Sequence, residues 1–539
     1  MARFAAIDVG SNAMRLRIVE VERPANPSAA LIFGQGREVL TLRLPVRLGR
    51  EVFLTGALTA QAVSSAAEAL RQFREAMDAA QVDQYRAVAT SAVREAKNGA
   101  LFVERARREA GIDVEVIEGV EEARLVQLAV RRRLGLDQKR AFLIDIGGGS
   151  TELTLLDRGE TRASQSLPMG AVRLLEAFLE IDRAVDARHS RLMAEYVERV
   201  LVELRPELAK SDPQVLVATG GNMETLAALC PHPSAEAPAI DLAAARELVA
   251  RMTKMSTAER AAAYGLRTDR ADTIVPAAHI LLRVVKPFGH ATALAPGVGV
   301  KEGILEELAE RFFSVWSTGG EELAITHACE QLGRRYQYDE KHGATVARLS
   351  TQLFDDLAPH HGLGRRERLL LCASAILHDV GDFVRYEGHH KHSWYLIEHS
   401  DIMGITPAER SIVANVARYH RKSFPDPSHP NFRDLSREQR STVRTLASIL
   451  RLADALDREH LGKVSSARAA VAGGRLRLTV EGEPDRELEE WTVARKAGLF
   501  RTVFDLDVEV VDAGAMSRPP GSSGGGRTPR PGATAGGEG

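Results

Sequence analysis

The chain has 539 residues, 44% hydrophobic and 27% charged, enough for several globular domains, each with its own core. Its 71 Lys and Arg against 73 Asp and Glu give a formal net charge of −2 with both signs mixed throughout, which excludes nonspecific nucleic-acid binding. No apolar run approaches membrane-spanning length, the cysteines Cys230, Cys329 and Cys372 form no CxxC pair, and Met1 leads directly into a strand without room for a signal peptide. A cytoplasmic protein without membrane attachment is therefore expected.

In chain order, residues 6–12 read Ala-Ile-Asp-Val-Gly-Ser-Asn, with Leu16 and Ile18 following. This is a strand, a turn carrying Ser11 and Asn12, and a returning strand. Val63, Ala66, Ala67, Leu70, Phe73, Ala76 and Met77 then fall on one helical face. A strand through 85–89 delivers Thr90 and Arg94 to the start of a helix. Free N–H groups and a guanidinium fork suit an anion at such a place, whereas an arginine on a solvated helix face is the plain alternative. Glu115 and Glu118 close the next strand, Gly119 breaks it, and Glu121 and Glu122 open a helix continuing through Leu134. By their residue type alone, these two glutamates read as caps favoured by the helix dipole.

The organising stretch is 142–156, Phe-Leu-Ile-Asp-Ile-Gly-Gly-Gly-Ser-Thr-Glu-Leu-Thr-Leu-Leu. It predicts a strand, a tight turn at Gly147, Gly148 and Gly149, and a second strand from Thr151. Three glycines let backbone N–H groups turn toward one point and form a seat for an anion, with Ser150 and Thr151 as hydroxyl donors at its rim. Asp145 and Glu152 flank the same turn, and carboxylates there would repel a phosphate unless a cation, Mg²⁺ by preference, bridges them. An ordinary hairpin is the competing reading. What counts against it is a second copy. Ile7, Asp8, Gly10, Leu16 and Ile18 match Ile144, Asp145, Gly147, Leu153 and Leu155 at one constant offset, which predicts two similar lobes turning their hairpins toward a shared ligand.

Residues 215–229 form another strand, a turn at Gly220 and Gly221, and a helix, equally suited to packing and to binding. Residues 296–303, Pro-Gly-Val-Gly-Val-Lys-Glu-Gly, miss the dinucleotide fingerprint by one residue, and no GxxxxGK[ST] occurs anywhere. Past 312 the composition shifts toward histidine and helical stripes. His342, the pair His378-Asp379, and Asp454 lie on three separate predicted helices, with His389, His390, His392 and His420 between them. Imidazole and carboxylate in that order suit one divalent ion or two, although a lone histidine is more often a core residue. The basic run 418–422, with Lys391, reads either as a guide for a polyanion or as a solvated helix end. Residues 463–512 alternate as strands in a small α+β cap, and the Gly, Pro, Ser and Thr-rich tail 513–539 is expected to be disordered.

Together these motifs resemble the exopolyphosphatase/guanosine-pentaphosphate phosphatase (Ppx/GppA) family of the acetate kinase, sugar kinase, actin and heat-shock chaperone superfamily, over all but the tail. The resemblance implies an α/β fold: a two-lobed actin/sugar-kinase-like (ribonuclease H-like) N-terminal half, an all-α HD-type domain, and a small α+β cap. The expected borders are 1–125 and 126–311 for the lobes, 312–462 for the helical domain and 463–512 for the cap. The Glu-Glu-x-Arg stretch matches at 121–124, so Glu122 is the implied general base, with Arg124 orienting it or touching phosphate. Thr90 and Arg94 match the family's phosphate channel, and Gly220 and Gly221 its nucleoside or distal-phosphate seat. Asn222 stands where threonine is frequent and Lys301 where arginine is usual, which keeps the charge and loses the planar fork. The implied activity is Mg²⁺-dependent release of terminal phosphate from polyphosphate or guanosine pentaphosphate. A homodimer is expected, and His342, His378, Asp379 and Asp454 form a candidate site for a further divalent metal. The alternatives are a kinase of the same superfamily, a non-catalytic binder of guanosine polyphosphates, and a nucleotide phosphohydrolase working through the HD-type domain.

Overall fold

The computed structural model describes residues 1–22, 36–50, 52–178, 187–204, 206–233, 237–313, 320–483 and 485–512. The chain forms two compact units, Met1–Cys329 with His399–Arg410, and Glu330–Glu398 with the chain from Ser411 onward.

The first unit contains two α/β lobes, each grown from one hairpin. In the first lobe, β1 (Ala2–Val9) and β2 (Met14–Val21) pair antiparallel, and β3 (Arg37–Leu44) extends the hairpin beside β2. β4 (Gln84–Ala89) and β5 (Val114–Val116) continue in parallel on the β1 side. In the second lobe, β6 (Arg140–Ile146) and β7 (Thr151–Asp157) make the hairpin and β8 (Glu160–Leu167) extends it. β9 (Val215–Thr219) runs parallel to β6, and β10 (Ala239–Asp241) and β11 (Thr292–Leu294) complete the order β10-β11-β9-β6-β7-β8. The repeated sequence is thus a repeated topology of hairpin, third antiparallel strand and parallel neighbour.

β6 is buried from Ala141 to Ile146 because helices cover both of its faces, which explains its unbroken apolar run. The helix Ala60–Ala79 buries Val63, Ala66, Leu70, Phe73 and Met77 along one face, and the Thr59 hydroxyl caps it by accepting from the Ala62 N–H. Two further helices, Gly119–Leu134 and Val300–Phe313, share one core with Phe4 and Ala6 of β1 and Ala141 and Leu143 of β6. Leu125, Val126, Ala129 and Val130 anchor the first of these helices there. At about 1.5–3 kcal/mol for each fully buried large apolar side chain, that core fixes the helix and with it the position of Glu122. The borders expected at 125 and 311 fall inside these two helices.

The second unit is built on the helices Glu340–Asp356, Arg365–Leu377, His389–Glu398 and Arg437–Ala455. Asp339 caps the first by accepting from Lys341 and His342, and a Ser436–Gln439 capping box starts the last. A sheet of β12 (Val464–Ala472), β13 (Arg475–Gly482) and β14 (Asp507–Asp512) follows, its last two strands parallel and joined through the helices Glu487–Lys496 and Gly498–Phe504. The tail 513–539 lies outside the described residues. No described helix is long and apolar enough to cross a membrane.

Candidate active site

The β-ladder places Asp145, near the end of β6, directly opposite Glu152 of β7. Glu122 arrives from the first turn of the helix Gly119–Leu134. The three side chains are buried, and one carboxylate oxygen from each lies within 4.8 Å of the others. Thr219 Oγ1 donates to Asp145 Oδ1 at 2.6 Å, and Ser166 Oγ donates to Glu152 Oε1 at 2.8 Å, so strands β9 and β8 orient the two acids. Glu122 Oε2 and Glu152 Oε2 are buried without a hydrogen-bond partner. Arg94 Nη1 is 3.9 Å from Glu122 Oε2, too far for a hydrogen bond, and donates instead to the Ile117 carbonyl at 2.7 Å.

Burial and mutual repulsion raise the affinity of all three acids for protons. Desolvation pushes Asp145 up to about 6, with the Asp8 charge adding and the Thr219 hydrogen bond opposing. Glu152 is raised by burial and then by Asp145. Glu122 is raised well above the usual carboxylate range by burial and then by Glu152, with Arg94 opposing. Three buried carboxylates with two unsatisfied oxygens form an incomplete electrostatic group. Hard oxygen donors in this arrangement fit a divalent cation such as Mg²⁺.

The two hairpin turns meet. A Cβ on Gly148 would lie 2.8 Å from the Ser11 Cβ, so only glycine permits this approach, and Ser11 Oγ lies 3.1 Å from Ser91 Oγ. Asn12 reaches across to donate to the Asp269 carbonyl at 3.2 Å. Thr90 is buried, and its N–H meets the Val9 carbonyl at the end of β1. Gly220, at φ +98°, sits against β6, where a Cβ would fall 2.4 Å from the Ile146 carbonyl oxygen, and a Cβ on Gly221 would fall on the Arg270 guanidinium.

Some expected donors are already committed. The Gly147 N–H closes its own turn onto the Ser150 carbonyl, and the Thr151 hydroxyl donates inward to the Met169 carbonyl rather than standing at the rim. Ser150 is buried beside the same turn. Arg124 does not orient Glu122. It is held by Glu121 at 2.7 and 2.8 Å and by Glu307.

No sequence motif marks a further set of cations that act on one another, of which Arg15 also acts on Asp145. Arg15 pairs with Asp8 at 2.9 Å, Arg43 with Asp269, and Arg270 is pulled down to about 10 by burial and then by Arg15 and Arg43. Cations that depress one another in this way gain from an added anion. A signal was available for Arg15 alone, since it holds in the first hairpin the place of Glu152 in the second. In the second unit, His342, His378, Asp379 and Asp454 converge, with Nε2 of both histidines 3.8 Å from Asp454 Oδ1.

Paired hairpin turns meeting between two α/β lobes, beside a buried carboxylate trio and a set of arginines, define a phosphate-handling protein of the actin-like fold. The chain belongs to the Ppx/GppA phosphatase family, whose profile matches residues 36–312, while that of Ppx/GppA phosphatase domain III matches residues 326–492. A guanosine-5'-triphosphate,3'-diphosphate pyrophosphatase of Aliivibrio fischeri is 26% identical over 452 residues, covering 83% of this chain and 86% of that protein. The protein of the same name from Vibrio campbellii is 25% identical over 426 residues, covering 78% and 81%. Among solved structures, an exopolyphosphatase from Cytophaga hutchinsonii superposes with a TM-score of 0.52 at 26% identity, covering 57% of this chain and 98% of its own.

Proposed function

We propose that this chain is a Mg²⁺-dependent phosphoanhydride hydrolase that releases the terminal phosphate of inorganic polyphosphate or of guanosine pentaphosphate, with Glu122 as general base. The observation that carries the reading is the buried, unpartnered Glu122 Oε2, in a group whose carboxylate oxygens lie within 4.8 Å of one another.

Asp145 and Glu152 would hold the cation, which when bound supplies counter-charge for the phosphate oxygens and for the leaving phosphate. Glu122 accepts a proton from the attacking water as its oxygen bonds the terminal phosphorus and the P–O bond to the shortened chain breaks. A raised proton affinity suits this role, because such a carboxylate takes a proton more readily than an ordinary one. Arg94, Ser11, Asn12, Thr90, Ser150 and the glycine turns grip the phosphates, with Arg43, Arg270 and Lys301 adding positive charge.

The deciding experiment is a phosphate-release assay with long polyphosphate, guanosine pentaphosphate and ATP side by side, at varied Mg²⁺, on the full chain and its Glu122→Gln variant. Release from the first two that depends on Mg²⁺ and disappears in the variant is the expected result. Near-normal turnover by the variant would remove the mechanism.

A further inference from the structure

The helix Ala171–Phe178 takes hold of the second lobe's glycine turn by its carbonyls. The Ala171 N–H donates to the Gly147 carbonyl at 3.0 Å, and the N–H groups of Val172 and Arg173 donate to the Gly148 carbonyl at 2.8 and 3.0 Å. The third carbonyl, of Gly149, accepts instead from the Arg173 side chain, whose Nε lies at 2.7 Å. Gly170 permits this approach, because a Cβ there would fall onto the Gly148 carbonyl oxygen. The C=O and N–H of a trans peptide point opposite ways. Three carbonyls held toward the helix therefore turn the N–H groups of Gly148, Gly149 and Ser150 away from it. None of those three N–H groups has an acceptor among the described residues.

Two of the carbonyls are held by backbone. The third depends on one side chain, and the first lobe keeps that side chain in place. Arg173 Nη2 donates to both carboxylate oxygens of Glu95, at 2.5 and 2.7 Å, and its guanidinium lies 4.2 Å from the centre of the Phe53 ring. Phe53 also fills the space beside Gly149, where a Cβ would fall on the ring. Glu95 ends the short helix Ser91–Glu95, next to Arg94. One guanidinium thus ties the Gly149–Ser150 peptide of the second lobe to the helix of the first that carries Arg94. Glu95 offsets the Arg173 charge, so direct attraction of an anion is weak, and a partly exposed pair of this kind adds little to stability.

We propose that Arg173 is a positioning residue for phosphate binding: by holding the Gly149 carbonyl it keeps the Ser150 N–H, beside those of Gly148 and Gly149, aimed at the oxygens of a bound phosphate chain. This rests on the phosphoanhydride reading above and names a residue on which its phosphate seat depends. Released from Arg173, the Gly149–Ser150 peptide can rotate, since glycine imposes little steric restraint, and the cluster of N–H groups loses a donor. Exchanging one hydrogen bond to a charged oxygen for water lowers affinity by roughly 10–100-fold.

The probe is imidodiphosphate, whose P–N–P bridge resists hydrolysis, titrated into the full chain with Mg²⁺ present and read by isothermal calorimetry. Arg173→Ala should bind it roughly 10–100-fold more weakly than wild type, with the melting temperature little changed. Millimolar guanidinium should recover part of that loss and give the wild type nothing. Glu95→Gln/Arg173→Ala removes both charges of the pair and should stay as weak, because the carbonyl is still unheld. In turnover, KM should rise by the same factor while kcat stays within about threefold, the pattern of lost binding rather than lost chemistry. Wild-type affinity in Arg173→Ala would overturn the role of Arg173, and so would recovery in the double variant, which would make net charge the cause. Should Arg173→Ala not fold, Arg173→Lys decides: it keeps the charge but lacks Nε, and undiminished affinity there would overturn the role equally. A wild type that binds the probe yet releases phosphate from no substrate would remove the hydrolase reading and leave Arg173 to be judged by the variants' affinities. Failure of the wild type to bind the probe would overturn both.

Discussion

Arg15 and Glu152 occupy equivalent places in the two hairpins, each directly opposite an aspartate across its ladder. In the first hairpin Arg15 neutralises Asp8 at 2.9 Å, while in the second Glu152 faces Asp145 and no basic side chain among the described residues pairs with either. One copy of the repeat is therefore electrically complete, and the other is left with a deficit of positive charge that a metal ion can fill.

If Glu122 is the base, Glu122→Gln removes proton transfer while keeping shape and hydrogen-bonding capacity. Phosphate release should fall by roughly 10²–10⁴-fold. The melting temperature should hold or rise, because an uncompensated buried acid is lost with it. Steady-state assays paired with thermal unfolding check both.

The acidic trio sets a pH dependence with a definite sign. A folded-state proton affinity above the unfolded one favours the fold at pH below about 4, and that contribution is lost as pH rises through the folded values. Those values are about 6 for Asp145 and about 7 for Glu152. In the metal-free chain, Asp145→Asn should therefore stabilise by about 1–3 kcal/mol at pH 8, by about half as much at pH 5 and by little below pH 4. Adding Mg²⁺ at pH 8 should stabilise the wild type more than the variant, read by denaturant unfolding.

Thr219 gives a subtler handle. Its hydroxyl donates to Asp145 Oδ1 at 2.6 Å and favours the charged carboxylate. Thr219→Val should move the acid limb of the pH–rate profile upward by about half a unit to one unit and raise the Mg²⁺ needed for half-maximal activity. A variant with an unshifted profile would show that the bond does not tune the site.

Gly220 tests the backbone. Alanine there must hold φ +98° and place a Cβ 2.4 Å from the Ile146 carbonyl oxygen, which ends β6. Gly220→Ala should cost about 1–3 kcal/mol and lower phosphate release, because the strand that carries Asp145 must shift. Calorimetry and the release assay measure the two losses.

Local features were legible in the sequence because local forces make them. The glycine turn at 147–149, the constant offset linking Asp8 to Asp145 and the apolar face of Ala60–Ala79 follow from steric freedom, repetition and burial period, all set within a few residues. Glu122 was different: its residue type and place in a first helical turn pointed to an ordinary cap, and only likeness to a family suggested a base. Its closeness to Asp145 and Glu152 is decided by a core in which Leu125, Val126 and Val130 pack with Phe4 and Leu143. The convergence of His342, His378 and Asp454 in the second unit is likewise decided by how distant helices pack. Sequence by itself determined which groups are present and which turns they ride on. The tertiary structure decided which of them lose water together, and desolvation is what converts ordinary acids and imidazoles into reactive or metal-seeking ones.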